Sequence, residues 1–181
     1  MAQLSRTTMT GERGRPGAGA SGSSVLWSFT TAASPPALLS LQHVPWLIRP
    51  ASETDFDAVL ELWRAAGSPP SSSDTLSGLG LLLSADPGAL LLADSGEDVV
   101  GSVIAAWDGW RGSFYRLAVH PDNRRAGVAR DLLNAGEQRL RDLGAVRLTA
   151  IVAEDDLVAM GFWQAVGYQR QSHRARFIKE L

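Results

Sequence analysis

Cysteine is absent from the 181-residue chain, and its absence excludes disulfide bonds, thiolate nucleophiles and cysteine-ligated metal ions. The three histidines, His43, His120 and His173, lie too far apart in the sequence to indicate a metal cluster. Because a chain without disulfides suits a reducing compartment, we expect a cytoplasmic protein.

Long hydrophobic runs are also missing. The apolar run at residues 79–83 is followed by Ser84, Asp86 and Pro87, whereas a helix that crosses a bilayer needs about 20 apolar residues. We therefore expect no membrane partner.

A surplus of positive charge is lacking as well, since the chain carries a formal net charge of −2. Three arginines and one glutamate give residues 1–44 a net charge of +2, which leaves −4 on the rest. The rest of the chain thus has no general basic surface for binding nucleic acid. The sequence predicts no nucleic-acid partner.

The composition divides the chain into two parts. Residues 1–44 contain a leader rich in glycine, serine, threonine and arginine without apolar periodicity, which predicts a disordered extension. A transit peptide, or a true start further along the chain near Val44, are the alternatives to this interpretation. Residues 45–181 have the length and patterning of a single domain.

Periodicity and turn residues predict the order of elements in this domain. Thr54 and Asp55 read as the cap of the first helix, whose apolar face carries Phe56, Val59, Leu60 and Trp63. Turn residues at 94–98 and 108–112 join three strands into an antiparallel meander. The pattern predicts an α/β layer fold with helices on both faces. The predicted strands are 46–50, 89–93, 99–107, 113–119, 146–152, 168–170 and 174–178, and the helices after the first are 74–83, 126–143 and 155–166.

The stretch from Arg116 to Arg130 reads as a buried strand, a turn and the start of a helix. The first amides of such a helix have no partners within it and lie at the positive end of its dipole, where Arg124 and Arg125 add charge. Gly127 and Ala129 have almost no side chain, so a ligand can approach the backbone closely. This junction predicts a binding site for a phosphate group.

The six residues of this turn resemble a known loop. Arg124, Arg125, Ala126, Gly127, Val128 and Ala129 fit the pattern Arg/Gln-x-x-Gly-x-Gly/Ala, which is similar to the acetyl-CoA loop of the GCN5-related N-acetyltransferases, the GNAT family. Residues 101–113 and 152–156 further resemble the small bacterial YpeA-type members. The resemblance implies a mixed, mostly antiparallel sheet, acetyl-CoA as cosubstrate, and these six residues as contacts of its pyrophosphate.

The resemblance also implies roles on the preceding strand and on the last helix. Leu117, Ala118 and Val119 would pair with the pantetheine arm, and the Val119 amide would donate to the thioester oxygen. Asp156 stands where the family usually has an asparagine that contacts the cofactor, although an aspartate there also suits a helix cap. Trp163 stands at the position of the usual proton donor, and an indole N–H cannot donate a proton near neutral pH.

These features predict an acetyl-CoA-dependent N-acetyltransferase that acts on a primary amine of a small molecule or a protein, with a homodimer as an open alternative. Trp163 keeps a second hypothesis open, a CoA-binding module with weak or lost catalysis. A DNA-recognition helix over 126–143 conflicts with the acidic net charge. Asp108 and His120 are weak candidates for the base because both read as turn residues, and the loops at 67–76 and 108–112 are expected to select the acceptor.

Overall fold

Five strands form a single sheet in the computed structural model, which describes residues 46–179. They lie in the sheet in chain order and are antiparallel, except that β4 and β5 are parallel. The predicted mixed, mostly antiparallel sheet is confirmed. The extension predicted at residues 1–44 lies outside the described residues. The strands are β1 Leu47–Pro50, β2 Leu90–Asp94, β3 Val99–Trp107, β4 Gly112–Val119 and β5 Leu148–Ala150.

Helices cover both faces of the sheet, as predicted. Apolar residues of α1 and α2 pack on one face and those of α3 and α4 on the other. β2 lies between these layers, so Leu90 and Leu92 join one core and Leu91 and Ala93 the other. A strand buried on both faces reads as a continuous apolar run, which is how β2 appears in the sequence. The helices are α1 Phe56–Ala65, α2 Leu76–Ala85, α3 Val128–Asp142 and α4 Leu157–Ala165.

Helix α3 lies unusually close to β3 at its first turn. A Cβ atom on Gly101 would come within 2.6 Å of Val128 Cγ1 and 2.9 Å of Leu132 Cδ1. The glycine therefore lets the start of α3 rest directly on the sheet beside the end of β4.

The first helix begins differently from the prediction. Asp55 belongs to a short 3₁₀ turn, Glu53–Asp55, and its carboxylate does not cap α1. It accepts from the Arg49 guanidinium at 2.8 and 2.9 Å and from the Ser52 N–H at 2.7 Å, while Arg49 Nε donates to Asp94 at 2.7 Å. The Arg49 hydrogen bonds hold the pKa of Asp55 well below its usual range. Asp55 occupies the predicted N-cap position of α1, but its carboxylate makes no capping hydrogen bond because the half-buried Arg49 on β1 and the Ser52 N–H hold it.

Two further predictions need correction. Helix α2 starts after Asp74, because Thr75 is its cap and accepts from the Gly78 N–H at 3.0 Å. The strands predicted at 168–170 and 174–178 do not form within residues 46–179. Phe177 is 93% exposed and Ile178 72% exposed, so this segment buries no apolar face of the kind that stabilises a strand.

Candidate active site

The fourth strand has two halves with different neighbours. Gly112 to Phe114 pair with Leu148 to Ala150 of β5. Beyond Phe114, β4 continues to Val119 along β3 only, because β5 ends at Ala150. We call residues 112–114 the closed half of β4 and residues 115–119 its open half. One edge of the open half is therefore unpaired within the described residues.

A β-bulge lies in the open half. The register with β3 passes from Ser102–Ala118 to Ile104–Tyr115, so Arg116 and Leu117 both face Val103. Arg116 has φ of 51°, in the left-handed region that a residue with a Cβ seldom adopts. Backbone strain of this kind costs about 1–3 kcal/mol and is often found at functional sites.

The bulge and the ladder together set the direction of the backbone groups. The His120 N–H donates to the Val100 carbonyl at 2.9 Å, so by alternation the Val119 N–H and carbonyl point away from β3. The Ser102 hydroxyl donates to the Arg116 carbonyl at 3.1 Å, and in a trans peptide the Leu117 N–H then points to the opposite side. Ala118 pairs with Ser102, and its backbone groups face β3. Leu117 and Val119 thus present amides along the open edge.

The turn after β4 leads into a row of free amides. Gly127 precedes α3 with φ of 106°, and a Cβ there would have no atom within 4 Å, so the backbone conformation, and not crowding, requires the glycine. Its carbonyl accepts from the Arg130 and Asp131 N–H groups. The amides of residues 125–129 find no acceptor in the described part of the chain. The start of α3 thus has the free amides from which the sequence predicts an anion-binding site.

The two arginines of the turn differ in their contacts. Arg124 Nη2 donates to the Ala66 carbonyl at 2.9 Å, and its Nε makes a long contact of 3.4 Å with the Val119 carbonyl. The Arg124 guanidinium thus contacts one carbonyl directly after α1 and one at the end of β4. Arg125 is exposed at the turn, with φ of 65°.

Trp163 lies in a cluster of aromatic rings beneath the point where β4 and β5 separate. Its ring is 5.9 Å from Phe114, 5.7 Å from Phe162 and 4.7 Å from Tyr168, measured between centroids. It is 9% exposed and lines a cavity of about 940 Å³ between β5 and the C-terminal residues. Asp156 caps α4, since its Oδ1 accepts from the Ala159 N–H at 2.9 Å.

Two candidates for acid–base chemistry are tied up in structural contacts. Burial, together with a 3.0 Å hydrogen bond to Glu137, raises the pKa of Tyr168, which makes it a poor acid. The Asp108 carboxylate accepts from the Arg111 and Trp110 N–H groups at 2.6 and 2.8 Å, and these bonds lower its pKa, so it is a poor base. Both residues make structural contacts, and for Asp108 these are the contacts of the turn residue that the sequence predicts.

Arg116, whose side chain pairs with Asp74 ahead of α2, was not among the functional residues predicted from the sequence. The residue pattern does not indicate that an arginine within a strand adopts a positive φ. Ser102 is the one available signal, because it is a polar residue in an otherwise apolar β3 and is completely buried. Its hydroxyl is the group that holds the Arg116 carbonyl.

The arrangement suits one kind of ligand. An unpaired strand edge binds a molecule with amide groups of its own, and the free amides at the helix start bind a phosphate group at one end of it. An extended, amide-containing molecule with a phosphate at one end has the groups that match both features.

Comparison with known proteins identifies the family. The sequence profile of the acetyltransferase (GNAT) family matches residues 48–168. An acetyltransferase from Pectobacterium atrosepticum is 34% identical over 122 residues, 67% of this chain and 86% of the relative. The chain belongs to the GNAT family; it is an acetyltransferase, and its cosubstrate is acetyl-CoA.

Solved structures support the fold. Ard1 from Thermoplasma volcanium superposes with a TM-score of 0.65 at 20% identity, over 71% of this chain and 86% of Ard1. An aminoglycoside 6′-N-acetyltransferase from Acinetobacter haemolyticus superposes with a TM-score of 0.61 at 24% identity, over 75% and 99% of the two chains. At these identities the likeness concerns the fold. Among the described residues, no helix has the length and hydropathy to cross a membrane.

Proposed function

We propose that this protein transfers the acetyl group of acetyl-CoA to a primary amine of a small molecule or a protein, in the cytoplasm. The observation that carries the proposal is the open half of β4, which leads directly into the free amides of residues 125–129. A pantetheine arm along the strand and a pyrophosphate at the helix start use both features in one molecule.

At the phosphate end, the amides of residues 125–129 would donate to the pyrophosphate oxygens, and the exposed Arg125 would add charge. Arg124 takes part in this contact only after leaving the Ala66 carbonyl. Asp156 keeps one carboxylate oxygen free of the cap and can accept from an amide of the cofactor arm.

At the reacting end, a backbone N–H would stabilise the negative charge that develops on the thioester oxygen. Val119 is the predicted donor, and its amide lies along the open edge, as does that of Leu117. Removal of one such donor in other enzymes costs about 10² to 10³ in rate, so two preorganised amides supply a large share of catalysis.

The leaving group needs no strong acid. A thiol has a pKa of about 8.5, so the sulfur can depart as a thiolate near neutral pH. Trp163 can donate a hydrogen bond but no proton, which costs at most about 10² to 10⁴ in rate. We therefore expect turnover that is slow but measurable.

The acceptor is proposed to bind at the loop of residues 67–76 between α1 and α2. This loop contacts the open half of β4 through Arg116, which donates to the Pro69 carbonyl at 2.9 Å. The turn at 108–112 is the second predicted acceptor loop and lies at the start of the closed half.

An acetyl-transfer screen across amine classes, with free thiol as the readout, tests the proposal. We expect release of CoA that depends on one class of amine, in addition to acetyl-CoA binding measured by calorimetry. Binding without turnover on any amine would favour the second hypothesis, a CoA-binding module whose catalysis is weak. Absence of binding would refute both.

A further inference from the structure

Arg116 joins the bulge of β4 to the loop between α1 and α2. Its Nη2 and Nε both donate to the Asp74 carboxylate, the latter at 3.1 Å, and its Nη1 donates to the Pro69 carbonyl at 2.9 Å. The two charged side chains are only 17% and 15% exposed. A guanidinium held by three acceptors has little freedom to rotate, so it fixes the distance between the bulge and the loop.

A second set of contacts holds the backbone of the same residue. The Trp63 indole N–H donates to the Ser102 hydroxyl at 2.9 Å, and that hydroxyl donates to the Arg116 carbonyl. The Arg116 guanidinium in turn lies over the Trp63 ring, 5.1 Å from its centroid. Trp63, Ser102 and Arg116 form a closed circuit of contacts, to which Asp74 is joined through Arg116. We call these four residues the bulge network.

We propose that the Arg116–Asp74 pair is a positioning device, which holds the acceptor loop and the Leu117 amide in one fixed geometry. The inference rests on the proposed function, because it assigns the open half of β4 to the thioester and the loop at 67–76 to the amine. The left-handed φ of Arg116 turns its carbonyl to Ser102 and hence the Leu117 N–H to the open edge. Asp74 directly precedes Thr75, the cap of α2, so the pair also fixes the end of the loop.

The pair affects both partners of the reaction. Asp74→Asn replaces the two charged acceptor oxygens of Arg116 with one neutral amide oxygen and an NH2 group, so the Pro69 carbonyl is the one acceptor of the Arg116 side chain left unchanged. The loop is then free to move relative to β4, and the strained backbone of Arg116 loses a constraint. A small displacement of either partner separates the amine from the thioester, and effective concentration falls steeply with such misplacement.

The test compares Asp74→Asn with Asp86→Asn. Asp86 pairs with Arg139, which also donates to the carbonyl of Ala105, the residue that pairs with Phe114 in the closed half. For Asp74→Asn we expect kcat to fall about tenfold and the acceptor KM to rise, with acetyl-CoA affinity unchanged within about twofold. Asp86→Asn should leave kcat and KM unchanged. Equal kinetic effects in the two variants would overturn the proposal, because they would reflect general destabilisation.

Amide hydrogen exchange measures the coupling between the loop and the bulge and does not require turnover. In Asp74→Asn we expect exchange to accelerate by about tenfold or more in residues 67–75 and also in residues 116–118. Faster exchange in the loop alone would refute the coupling. Arg116→Lys keeps the positive charge but loses the paired N–H groups that bind the Asp74 carboxylate. It should also accelerate exchange in the same two segments. If the wild-type protein binds no acetyl-CoA, the proposed function fails, while the exchange data still decide whether loop and bulge are one unit.

Discussion

The closed and open halves of β4 belong to one strand and yet serve different purposes. The closed half is paired on both edges, and Phe114 in it is 2% exposed and in contact with the rings of Trp163 and Tyr168. The open half is paired on one edge, contains a bulge, and leads to a helix start with free amides. A single strand thus anchors the fold at one end and leaves backbone groups unpaired at the other, where we propose that the cosubstrate binds.

In this assignment, fold stability and ligand binding depend on different halves of the strand. In the closed half, buried side chains stabilise the fold, whereas in the open half the proposed binding groups belong mainly to the main chain. Mutations in the first should therefore change the free energy of unfolding, and mutations at the end of the second should change affinity.

The largest effect is expected at Phe114. Phe114→Ala removes a buried ring between α3 and α4 and should lower the free energy of unfolding by about 3–5 kcal/mol. Leu117→Ala, in the open half and only partly buried, should cost less than half as much. Urea denaturation of both variants measures this. Similar losses would break the distinction between the halves.

The next effect concerns acetyl-CoA affinity at the start of α3, which follows the open half. Gly127→Glu places a carboxylate among the free amides and should weaken acetyl-CoA binding about a hundredfold or more by repelling the phosphates. Gly144→Glu is the matched control, because Gly144 also has a positive φ of 96° and no neighbour within 4 Å of a Cβ. Calorimetry on the two folded variants should show lost affinity in the first alone. Equal affinities would refute the phosphate assignment.

A third prediction concerns an ion pair outside β4, which should affect stability without affecting ligand binding. Asp55→Asn should lower the free energy of unfolding by about 2 kcal/mol at pH 7, because it removes the charged acceptor of Arg49, and acetyl-CoA affinity should stay unchanged. Since the folded pKa of Asp55 lies below its usual range, this stabilisation is present above about pH 4 and is lost as the pH falls further.

Thermal denaturation from pH 3 to 7 follows the loss. The difference in melting temperature between the wild type and Asp55→Asn should become smaller below pH 4. Asp57→Asn removes an exposed carboxylate from the first turn of α1 and should show little change at any pH. A gap independent of pH would mean that the charge of Asp55 is unimportant.

Trp163 lies at the boundary of the two halves, so its substitution tests both. Trp163→Tyr should raise kcat about tenfold by supplying a phenol where the indole donates no proton, with the KM for acetyl-CoA nearly constant. The smaller ring should also lower the free energy of unfolding by about 1 kcal/mol. Single-turnover rates on one amine measure the gain. A rate that drops while CoA binding holds would assign Trp163 to packing or substrate recognition.

The smallest effect is expected from the N-terminal segment. Removal of residues 1–44 should leave the melting temperature within about 3 °C and acetyl-CoA affinity unchanged, because that segment offers few periodic apolar positions. Differential scanning calorimetry of the two chains measures this. A collapse of folding would show that Leu26, Trp27 or Phe29 belongs to the core.

The sequence predicted the parts of the molecule that depend on local pattern. The apolar stripe of α3 and the turns that join β2, β3 and β4 follow from spacing and turn residues over short stretches. Each was found close to its predicted bounds.

The parts that were missed depend on distant partners. The bulge at Arg116 forms because Asp74 and Ser102, far away in sequence, hold its side chain and carbonyl. Asp55 was assigned to a cap because its arginine partner on β1 is invisible to a helix pattern. The C-terminal strands were expected from alternation and resemblance, but alternation cannot establish whether an edge is available for pairing.

Recognition through main-chain amides has a consequence for divergence among relatives. If the strand binds its ligand with N–H groups as proposed, it places few demands on most of its own side chains, so residues of the open half other than Arg116 can vary while the site persists. Selection would instead act on the small residues that set spacing and conformation, Gly101 under α3 and Gly127 before it. Chains as distant as 20% identity can then keep the same architecture, as the likeness to the Thermoplasma volcanium protein illustrates.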